Sequence, residues 1–185
     1  MTRKPKPPSP GGAADIASMI RVDHAGEYGA VRIYEGQLAV LRGRKGAERS
    51  VAAIEHMAEQ EQRHLKAFDT LINERKVRPT ALEPVWRVAG FALGAASAAL
   101  GEKAAFACTA AVEEVIDEHY AAQIAALEGG KDPALKEKIE DFRADEAAHR
   151  DTALKEGAEQ APGYRLLSET IKAGCRIAIK LSERI

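Results

Sequence analysis

The sequence predicts an all-α protein, in which four long helices form a bundle and additional shorter helices pack around it. Its 185 residues are rich in alanine, leucine and charged side chains, and aromatic residues make up only 5%. This composition favours long helices, because most of these residue types have high helix propensity. Four segments repeat apolar side chains at helical spacing, which predicts a shared core. No segment alternates apolar and polar side chains as a strand would.

Six helices are expected between the residues that interrupt them. The N-terminal residues 1–13 include four prolines and are predicted to form a disordered tail, followed by a single domain over residues 14–185. Asp132 is the expected N-cap of the fifth helix, with Pro133 in its first turn, and Gly101 separates the third and fourth helices. The helices are predicted over residues 14–41, 48–74, 84–100, 103–128, 133–156 and 164–185.

The composition argues against several classes of protein. Lys and Arg total 27 against 28 Asp and Glu, so no basic excess points to a nucleic-acid partner. Cys108 and Cys175 form no CxxC pair, which argues against a zinc knuckle or a disulfide framework and favours a reducing compartment. The basic N-terminal tail is not followed by an apolar segment, so it is not expected to be a secretory signal.

The third helix contains an uncharged segment, "VAGFALGAASAAL", over Val88–Leu100. Its 13 residues are too few to cross a bilayer, which needs about 20. Two interpretations remain open from the residues alone. The helix either packs closely through its small side chains, or lies in a membrane interface.

Glutamate interrupts the apolar stripe on each of the four long helices, and two of the stripes also contain a histidine three residues later. A carboxylate buried without a partner costs several kcal/mol, so such a pattern requires a compensating charge. The interrupting residues are Glu27 in the first helix, Glu61 and His64 in the second, Glu113 in the fourth, and Glu146 and His149 in the fifth.

These positions repeat along the chain. Glu113 follows Glu27 by 86 residues, and Glu146 follows Glu61 by 85, as His149 follows His64. A helix pair is therefore used twice, and the two copies are expected to be related by a pseudo-twofold axis.

Two divalent metal ions would neutralise four buried carboxylates, and two imidazoles would add one nitrogen ligand to each ion. Oxygen-rich sites with one histidine per metal suit iron or manganese rather than zinc. Di-iron carboxylate bundles use one Glu from each of two helices and a Glu-x-x-His from each of the other two. The paired pattern therefore predicts a two-metal centre, although a single Glu-x-x-His would carry little weight.

Some neighbouring residues leave alternatives open. Glu114 competes with Glu113 as a ligand, and the bulkier stripe favours Glu113. Asp23, His119 and Tyr120 are candidates for contacts around the ligands rather than ligands themselves. Asp145 is expected to lie on a solvated helix face.

The segments "IRVDHAGEYGAVRIYEGQLAVL", "EQEQRHLKAF", "ACTAAVEEVIDEHYAAQI", "FRADEAAHRD" and "AGCRIAIKLSERI" resemble the demethoxyubiquinone hydroxylase family of ubiquinone biosynthesis. The resemblance covers about residues 15–185 and implies a ferritin-like bundle with two irons per chain. It assigns one iron to Glu27 and His64, the other to Glu113 and His149, and bridging positions to Glu61 and Glu146. Beyond these metal ligands it implies no catalytic side chain.

The activity implied by the resemblance is the O2-dependent hydroxylation of 2-polyprenyl-3-methyl-6-methoxy-1,4-benzoquinol, with NADH as electron source. The chain has no G-x-G-x-x-G fingerprint for a dinucleotide. A polyprenyl substrate dissolves in the bilayer, which shifts the interpretation of Val88–Leu100 towards the membrane surface. The family further implies peripheral attachment to the cytoplasmic face of a bacterial inner membrane, or to the matrix face in mitochondria. A lipid-binding partner protein is also implied, and a homo-oligomer is left open.

Three rival interpretations use the same residues. A ferritin-like protein that oxidises iron or consumes peroxide would have the same ligands, as would a di-iron oxygenase acting on a fatty acyl chain or nucleotide. A metal-free helical interaction protein would need arginine partners for Glu61 and Glu146, and few basic residues share their faces.

Overall fold

The computed structural model describes residues 13–185, which contain six α-helices, one short 3-10 helix and no strand. The predicted tail over residues 1–13 lies outside the described residues except for Ala13, which begins the first helix. The helices are α1 (Ala13–Leu41), α2 (Glu48–Glu74), α3 (Glu83–Ala99), α4 (Glu102–Ala126), α5 (Pro133–Lys155) and α6 (Tyr164–Ser182), and the 3-10 helix is Ala158–Gln160.

Helices α1, α2, α4 and α5 form the central bundle, whose core divides into two apolar clusters at opposite ends. One cluster contains Ile20 of α1 with Phe68 of α2, and the other contains Leu38 of α1 with Met57 of α2. The two helices are therefore antiparallel, and the same comparison makes α4 antiparallel to α5. The glutamates that interrupt the stripes lie between the two clusters, so a polar layer crosses the middle of the bundle. The predicted all-α bundle is confirmed.

Local sequence explains where the helices begin and end. The side chain of Asp132 accepts a hydrogen bond from the Leu135 amide at 3.1 Å, so it caps α5 as predicted, with Pro133 as first residue. Gly101 has φ +122°, a backbone conformation that favours glycine, and it separates α3 from α4. The 3-10 helix was not predicted, because three residues are too few to show a period.

Helices α3 and α6 lie outside the bundle, α3 chiefly against α1 and α6 against α4. The backbones of α1 and α3 approach closely: a Cβ at Gly90 would lie 2.8 Å from the Gly29 carbonyl oxygen, and one at Gly94 would overlap that of Ile33. The opposite face of α3 is solvent-exposed, with Val88 68% accessible. The structure therefore supports close packing through small residues for one face of α3. None of the helices in residues 13–185 combines the length and apolar character that crossing a bilayer requires.

Candidate metal centre

The structure brings all six predicted ligands together in the polar layer. Their side-chain atoms form two groups, and within each group the atoms lie within 4.8 Å of one another. Both groups contain Glu61 and Glu146, which are the two residues predicted to bridge. The first group adds Glu27 and His64, and the second adds Glu113 and His149.

The two histidines face the centre through the same ring nitrogen. His64 Nδ1 lies 3.0 Å from Glu146 Oε1 and 3.4 Å from Glu27 Oε2. His149 Nδ1 lies 3.0 Å from Glu61 Oε1 and 3.1 Å from Glu146 Oε2. The ring of His64 also stacks on Phe142, with centroids 4.0 Å apart. Packing and the helix backbone therefore orient each Nδ1 towards the carboxylates.

Many of the inward-facing polar atoms are buried without a hydrogen bond. Glu61 is fully buried, and neither of its carboxylate oxygens has a hydrogen-bond partner within residues 13–185. The same holds for Glu27 Oε2, Glu113 Oε2 and Glu146 Oε1. Such atoms carry a large desolvation cost, and native proteins rarely leave so many together. Their orientation towards one space fits cations bound between them.

Burial and the neighbouring side chains shift the pKa values of the clustered carboxylates in opposite directions. Burial, followed by repulsion from Glu146, raises the pKa of Glu61 well above its usual range, and the same causes raise the pKa of Glu113. Burial also acts on Glu146, but the hydrogen bond with His149 and the close contact with His64 outweigh it and lower the pKa of Glu146 to about 2. Burial lowers the pKa of His64, but the close contacts of its Nδ1 with the carboxylates of Glu146 and Glu27 overcome this effect and raise the pKa to about 10. In the absence of metal, protons and imidazolium partly compensate the negative charge.

Two buried tyrosines contact the carboxylates that come from α1 and α4. The Tyr34 hydroxyl donates to Glu113 Oε1 at 2.8 Å, and the Tyr120 hydroxyl donates to Glu27 Oε1. Tyr120 was predicted to contact the site, whereas Tyr34 was not identified from the sequence. The signal that could have identified Tyr34 is the repeat, since Tyr120 follows it by 86 residues.

The outer nitrogens of the two histidines contact side chains that sequence reasoning did not identify. His64 Nε2 donates to Asp145 Oδ2 at 3.0 Å, and His149 Nε2 donates to Gln60 Oε1 at 3.1 Å. The prediction that Asp145 lies on a solvated face is therefore wrong, because α2 and α5 pack closely enough for it to reach His64. Metal-bound histidines commonly donate their second N–H to such a partner.

Asp23 and His119 lie one layer further out. Asp23 Oδ1 accepts from His119 Nε2 at 3.0 Å and from Gln123 Nε2 at 2.8 Å. Burial raises the pKa of Asp23; burial lowers that of His119, but the bond to Asp23 reverses this and raises it. Asp23 and His119 make no direct hydrogen bond to the six clustered side chains. Their predicted role around the ligands remains a prediction.

Glu114 does not enter the cluster. Its carboxylate lies 2.7 Å from Lys172 Nζ of α6, and its side chain is 40% exposed. Glu113 occupies the interior position instead, which is 1% exposed. The apolar stripe therefore selected the residue that faces the centre.

The residues present fit a pair of divalent ions. Four carboxylates provide four negative charges, and each of the two atom groups offers one imidazole nitrogen and three carboxylates. This donor set suits iron or manganese more than zinc or copper. The cluster could hold metal, and the helices that carry its ligands are braced by apolar clusters at both ends.

A cavity of about 410 Å³ lies on the other side of α1 and α4, where α3 and α6 cover them. Gly26 and Val112 line it, and they are the chain neighbours of Glu27 and Glu113. The walls are otherwise small or aliphatic side chains, with Trp86 at one side donating from Nε1 to Ser182 Oγ at 3.0 Å. An elongated apolar molecule would fit there, beside the helices that carry the polar cluster.

The chain is similar to known proteins over nearly its whole length. The family model "Ubiquinone biosynthesis protein COQ7" matches residues 14–182. A 3-demethoxyubiquinol 3-hydroxylase of Rhodospirillum rubrum is 54% identical over 99% of this chain and 84% of the relative. A mitochondrial NADPH-dependent 3-demethoxyubiquinone 3-hydroxylase of Rattus norvegicus is 51% identical, covering 92% of this chain and 78% of the relative.

A mitochondrial 5-demethoxyubiquinone hydroxylase of Saccharomyces cerevisiae is 41% identical over 94% of this chain and 79% of the relative. The resemblance drawn from five short segments therefore extends over nearly the whole chain and is confirmed. With a family model that spans almost all of the described residues, the chain belongs to the COQ7 family of ubiquinone biosynthesis proteins.

Proposed function

We propose that this chain is a 3-demethoxyubiquinol 3-hydroxylase, an O2-dependent di-iron monooxygenase that hydroxylates the ring of 2-polyprenyl-3-methyl-6-methoxy-1,4-benzoquinol. The observation that carries the proposal is the fully buried cluster of four glutamates and two histidines, with carboxylate atoms left unpaired around one space. The names of the bacterial and yeast relatives support the hydroxylation, and the family supports its place in ubiquinone biosynthesis.

In this proposal Glu27 and His64 would hold one iron, Glu113 and His149 would hold the other, and Glu61 and Glu146 would serve both. The bound irons would supply the activation of O2, for which the protein has no suitable side chain. The chain itself orients the ligands: Tyr34 and Tyr120 donate hydrogen bonds to the two terminal carboxylates. Because the layer is enclosed by apolar clusters, bulk water is excluded from it.

In this proposal the substrate occupies the cavity beside α1 and α4. Its lining is almost entirely apolar, which suits isoprenoid units and would bind them through burial of apolar surface. Gly26 and Gly29 have open space where a side chain would stand, so the ring could approach α1 closely near Glu27. The isoprenoid tail would then extend between α3 and α6.

Electrons for the reaction would come from a reduced nicotinamide nucleotide. The resemblance implied NADH, whereas the rat relative's name specifies NADPH. The two are distinguished by following quinol hydroxylation with each nucleotide alone and measuring kcat/KM. If neither nucleotide supported product formation and a chemical reductant did, the nucleotide assignment would be overturned and the assignment as a hydroxylase would stand.

The proposal includes attachment to a membrane, which is supported by the apolar substrate and by exposed apolar side chains near the cavity. Val85 and Val88 of α3 are 51% and 68% exposed, and Ile177 of α6 is 59% exposed. These side chains neighbour cavity-lining residues of the same helices and would enter the interface of a bilayer. Attachment would be peripheral, to the cytoplasmic face of a bacterial inner membrane or to the matrix face in a mitochondrion, the compartment in the rat relative's name. A lipid-binding partner protein would use the same face.

Vesicle co-sedimentation tests the membrane assignment. Val88→Asp and Ile177→Asp are expected to weaken binding to vesicles of phosphatidylethanolamine and phosphatidylglycerol. Leu154→Asp is the matched control, because Leu154 is an exposed leucine of α5 away from the cavity. Equal binding by all three variants would contradict attachment through α3 and α6.

The decisive experiment measures iron per chain after anaerobic reconstitution with Fe2+, followed by a quinol hydroxylation assay. The parent protein is expected to hold about two irons. The double variant Glu61→Ala, Glu146→Ala is expected to bind at least about 100-fold more weakly, since it loses both shared ligands. Iron binding without conversion of the quinol would favour the alternative of an iron-oxidising or peroxide-consuming ferritin-like protein. A parent without iron would refute the proposal.

A further inference from the structure

The hydrogen bonds from two tyrosines to the cluster repeat with the same spacing as the ligands. Tyr34 and Tyr120 are 86 residues apart, and each donates to the glutamate of the opposite copy. The two halves of the centre therefore support each other crosswise. Where equivalent positions of the two copies carry different residue types, the two halves of the centre differ in a way that the ligands themselves do not show.

The histidine partners break the symmetry. Gln60 and Asp145 are 85 residues apart, so they occupy equivalent positions, each immediately before a shared glutamate. Gln60 of α2 accepts from His149 of α5, while Asp145 of α5 accepts from His64 of α2. The geometry is reciprocal, with distances of 3.1 and 3.0 Å, but one acceptor is a neutral amide and the other is a carboxylate.

The carboxylate is held in place by a residue without a counterpart. Arg63 pairs with Asp145 and also donates to Asp141 Oδ2 at 3.0 Å. The equivalent of Arg63 in the second copy is Ala148, 85 residues later. Arg63 therefore holds Asp145 against His64. Because the arginine side chain is exposed, water screens much of its charge.

A second asymmetry falls in the same half. Gln37 and Gln123 are equivalent by the 86-residue repeat, and each donates across the bundle. Gln37 reaches Thr109 Oγ1 at 3.4 Å, whereas Gln123 reaches Asp23 Oδ1 at 2.8 Å. The acidic member, Asp23, lies one turn before Glu27, and the neutral member, Thr109, lies one turn before Glu113. In both pairs of equivalent positions, the acidic side chain therefore lies in the half that contains Glu27 and His64.

We propose that the two metal positions are unequal: the position at Glu27 and His64 binds a divalent ion first and more tightly, with Asp145 as its positioning residue. The inference rests on the proposed function in so far as both positions take metal. A carboxylate that accepts the N–H of a ligating histidine makes the imidazole a stronger donor than an amide does, and fixes its ring. The position at Glu113 and His149 has the amide of Gln60 instead and is the exchangeable one.

Titration of metal-free protein with Co2+, followed by calorimetry and visible absorption, tests this. The parent is expected to bind two ions in two phases that differ by about tenfold or more in affinity. In protein labelled at histidine, the first equivalent is expected to shift the ring N–H proton of His64, and the second that of His149. The absorption bands require no O2 and no substrate, so the readout is independent of activity.

Two isosteric variants act in opposite directions. Asp145→Asn keeps the shape of the side chain and is expected to weaken the first phase by about 10- to 100-fold. Gln60→Glu is expected to raise the affinity for the second ion, so that the difference in affinity between the two phases becomes smaller. Asp141→Asn is the matched control, because Asp141 shares Arg63 but touches neither histidine; it is expected to leave both phases unchanged.

The outcomes separate this inference from the proposed function. Two ions of equal affinity in the parent, or an unchanged first phase in Asp145→Asn with native circular dichroism, would overturn the inequality and leave the two-metal centre standing. A parent that binds no Co2+ or Fe2+ would overturn both. If Asp141→Asn weakened the first phase as much as Asp145→Asn, the effect would belong to Arg63 and not to the histidine contact, which also refutes the proposal.

Discussion

Helices α1 and α4 separate two interior regions that differ in almost every chemical respect. On one side lie six ionisable side chains with several carboxylate oxygens unpaired. On the other side lies a cavity of about 410 Å³ whose lining is almost entirely apolar. Within one turn of α1, Glu27 faces the first region, and Gly26 and Gly29 line the second.

Helices α1 and α4 therefore each have two buried faces, unlike α2 and α5. In α4, thirteen residues of the 25 are buried, including every residue from Ala104 to Glu113, so the first half of the helix has no solvated face. In α2 only eight of 27 residues are buried, all on one side. The proposed function would need a metal site and an apolar substrate site close together, and a doubly buried helix provides the boundary between two such environments.

The polar region is expected to dominate the way in which the stability of the metal-free protein changes with pH. The pKa values of Glu61 and Glu113 are raised well above the ordinary 4.5 in the folded state, so the folded protein binds their protons more tightly. Their stabilising contribution is complete below about pH 4.5 and is lost as the pH rises through the folded pKa. His64, with its pKa raised to about 10, changes in the same direction, losing its contribution between about pH 6.5 and 10.

Metal-free protein should therefore become less stable from about pH 5 to pH 8, by about 1.4 kcal/mol per pH unit for each proton released. Urea denaturation at several pH values measures this. Metal-loaded protein should show the opposite or a flatter trend, because ligands must be deprotonated to bind. Glu61→Gln is the control and should reduce the slope of the metal-free protein. A metal-free stability that rises over this interval would contradict the raised pKa values.

The contrast between the two regions also explains what the sequence could reveal. A glutamate inside an apolar stripe stands out, and the repeat of Glu61 and His64 at Glu146 and His149 made the cluster predictable. The helix boundaries followed from Gly101, Asp132 and Pro133. All of these signals are local, or depend on a fixed spacing.

The cavity and the outer contacts carried no such signal. Val112 and Ile116 have the appearance of ordinary core residues, and they line a space only because α3 and α6 stand away from α4. Asp145 sits among other acids of a polar helix, and nothing local distinguishes the one that reaches His64. These features depend on the distance between helices far apart in the sequence, and only the repeat could have suggested Asp145 and Tyr34.

The apolar region depends on the close approach of α3 to α1, and a single methyl group should disturb it. Gly94→Ala is expected to lower the free energy of unfolding by about 1–3 kcal/mol, because the added Cβ would overlap the Ile33 carbonyl. Urea denaturation of the metal-loaded protein measures the loss. Gly174→Ala in α6 is the matched control: its Cβ meets nothing within 4 Å, and helix propensity predicts a gain of up to about 1 kcal/mol. Equal stability of the two variants would mean that α3 can move away from α1 at little cost.

The smallest expected effect is one that separates the two regions in function. Gly174→Leu places a side chain in the apolar cavity and should lower kcat/KM for a long-tailed quinol by about tenfold, equivalent to about 1.4 kcal/mol of lost binding. Iron content should stay at the parental value, since Gly174 lies on α6 and the ligands lie on the far side of α4. Gly43→Leu, in the exposed turn after α1, controls for the substitution itself. A quinol with a single isoprenoid unit should be affected least. If the long- and short-tailed quinols lost activity equally, or if iron were lost as well, the cavity would be a structural part of the metal centre and not the path of the tail.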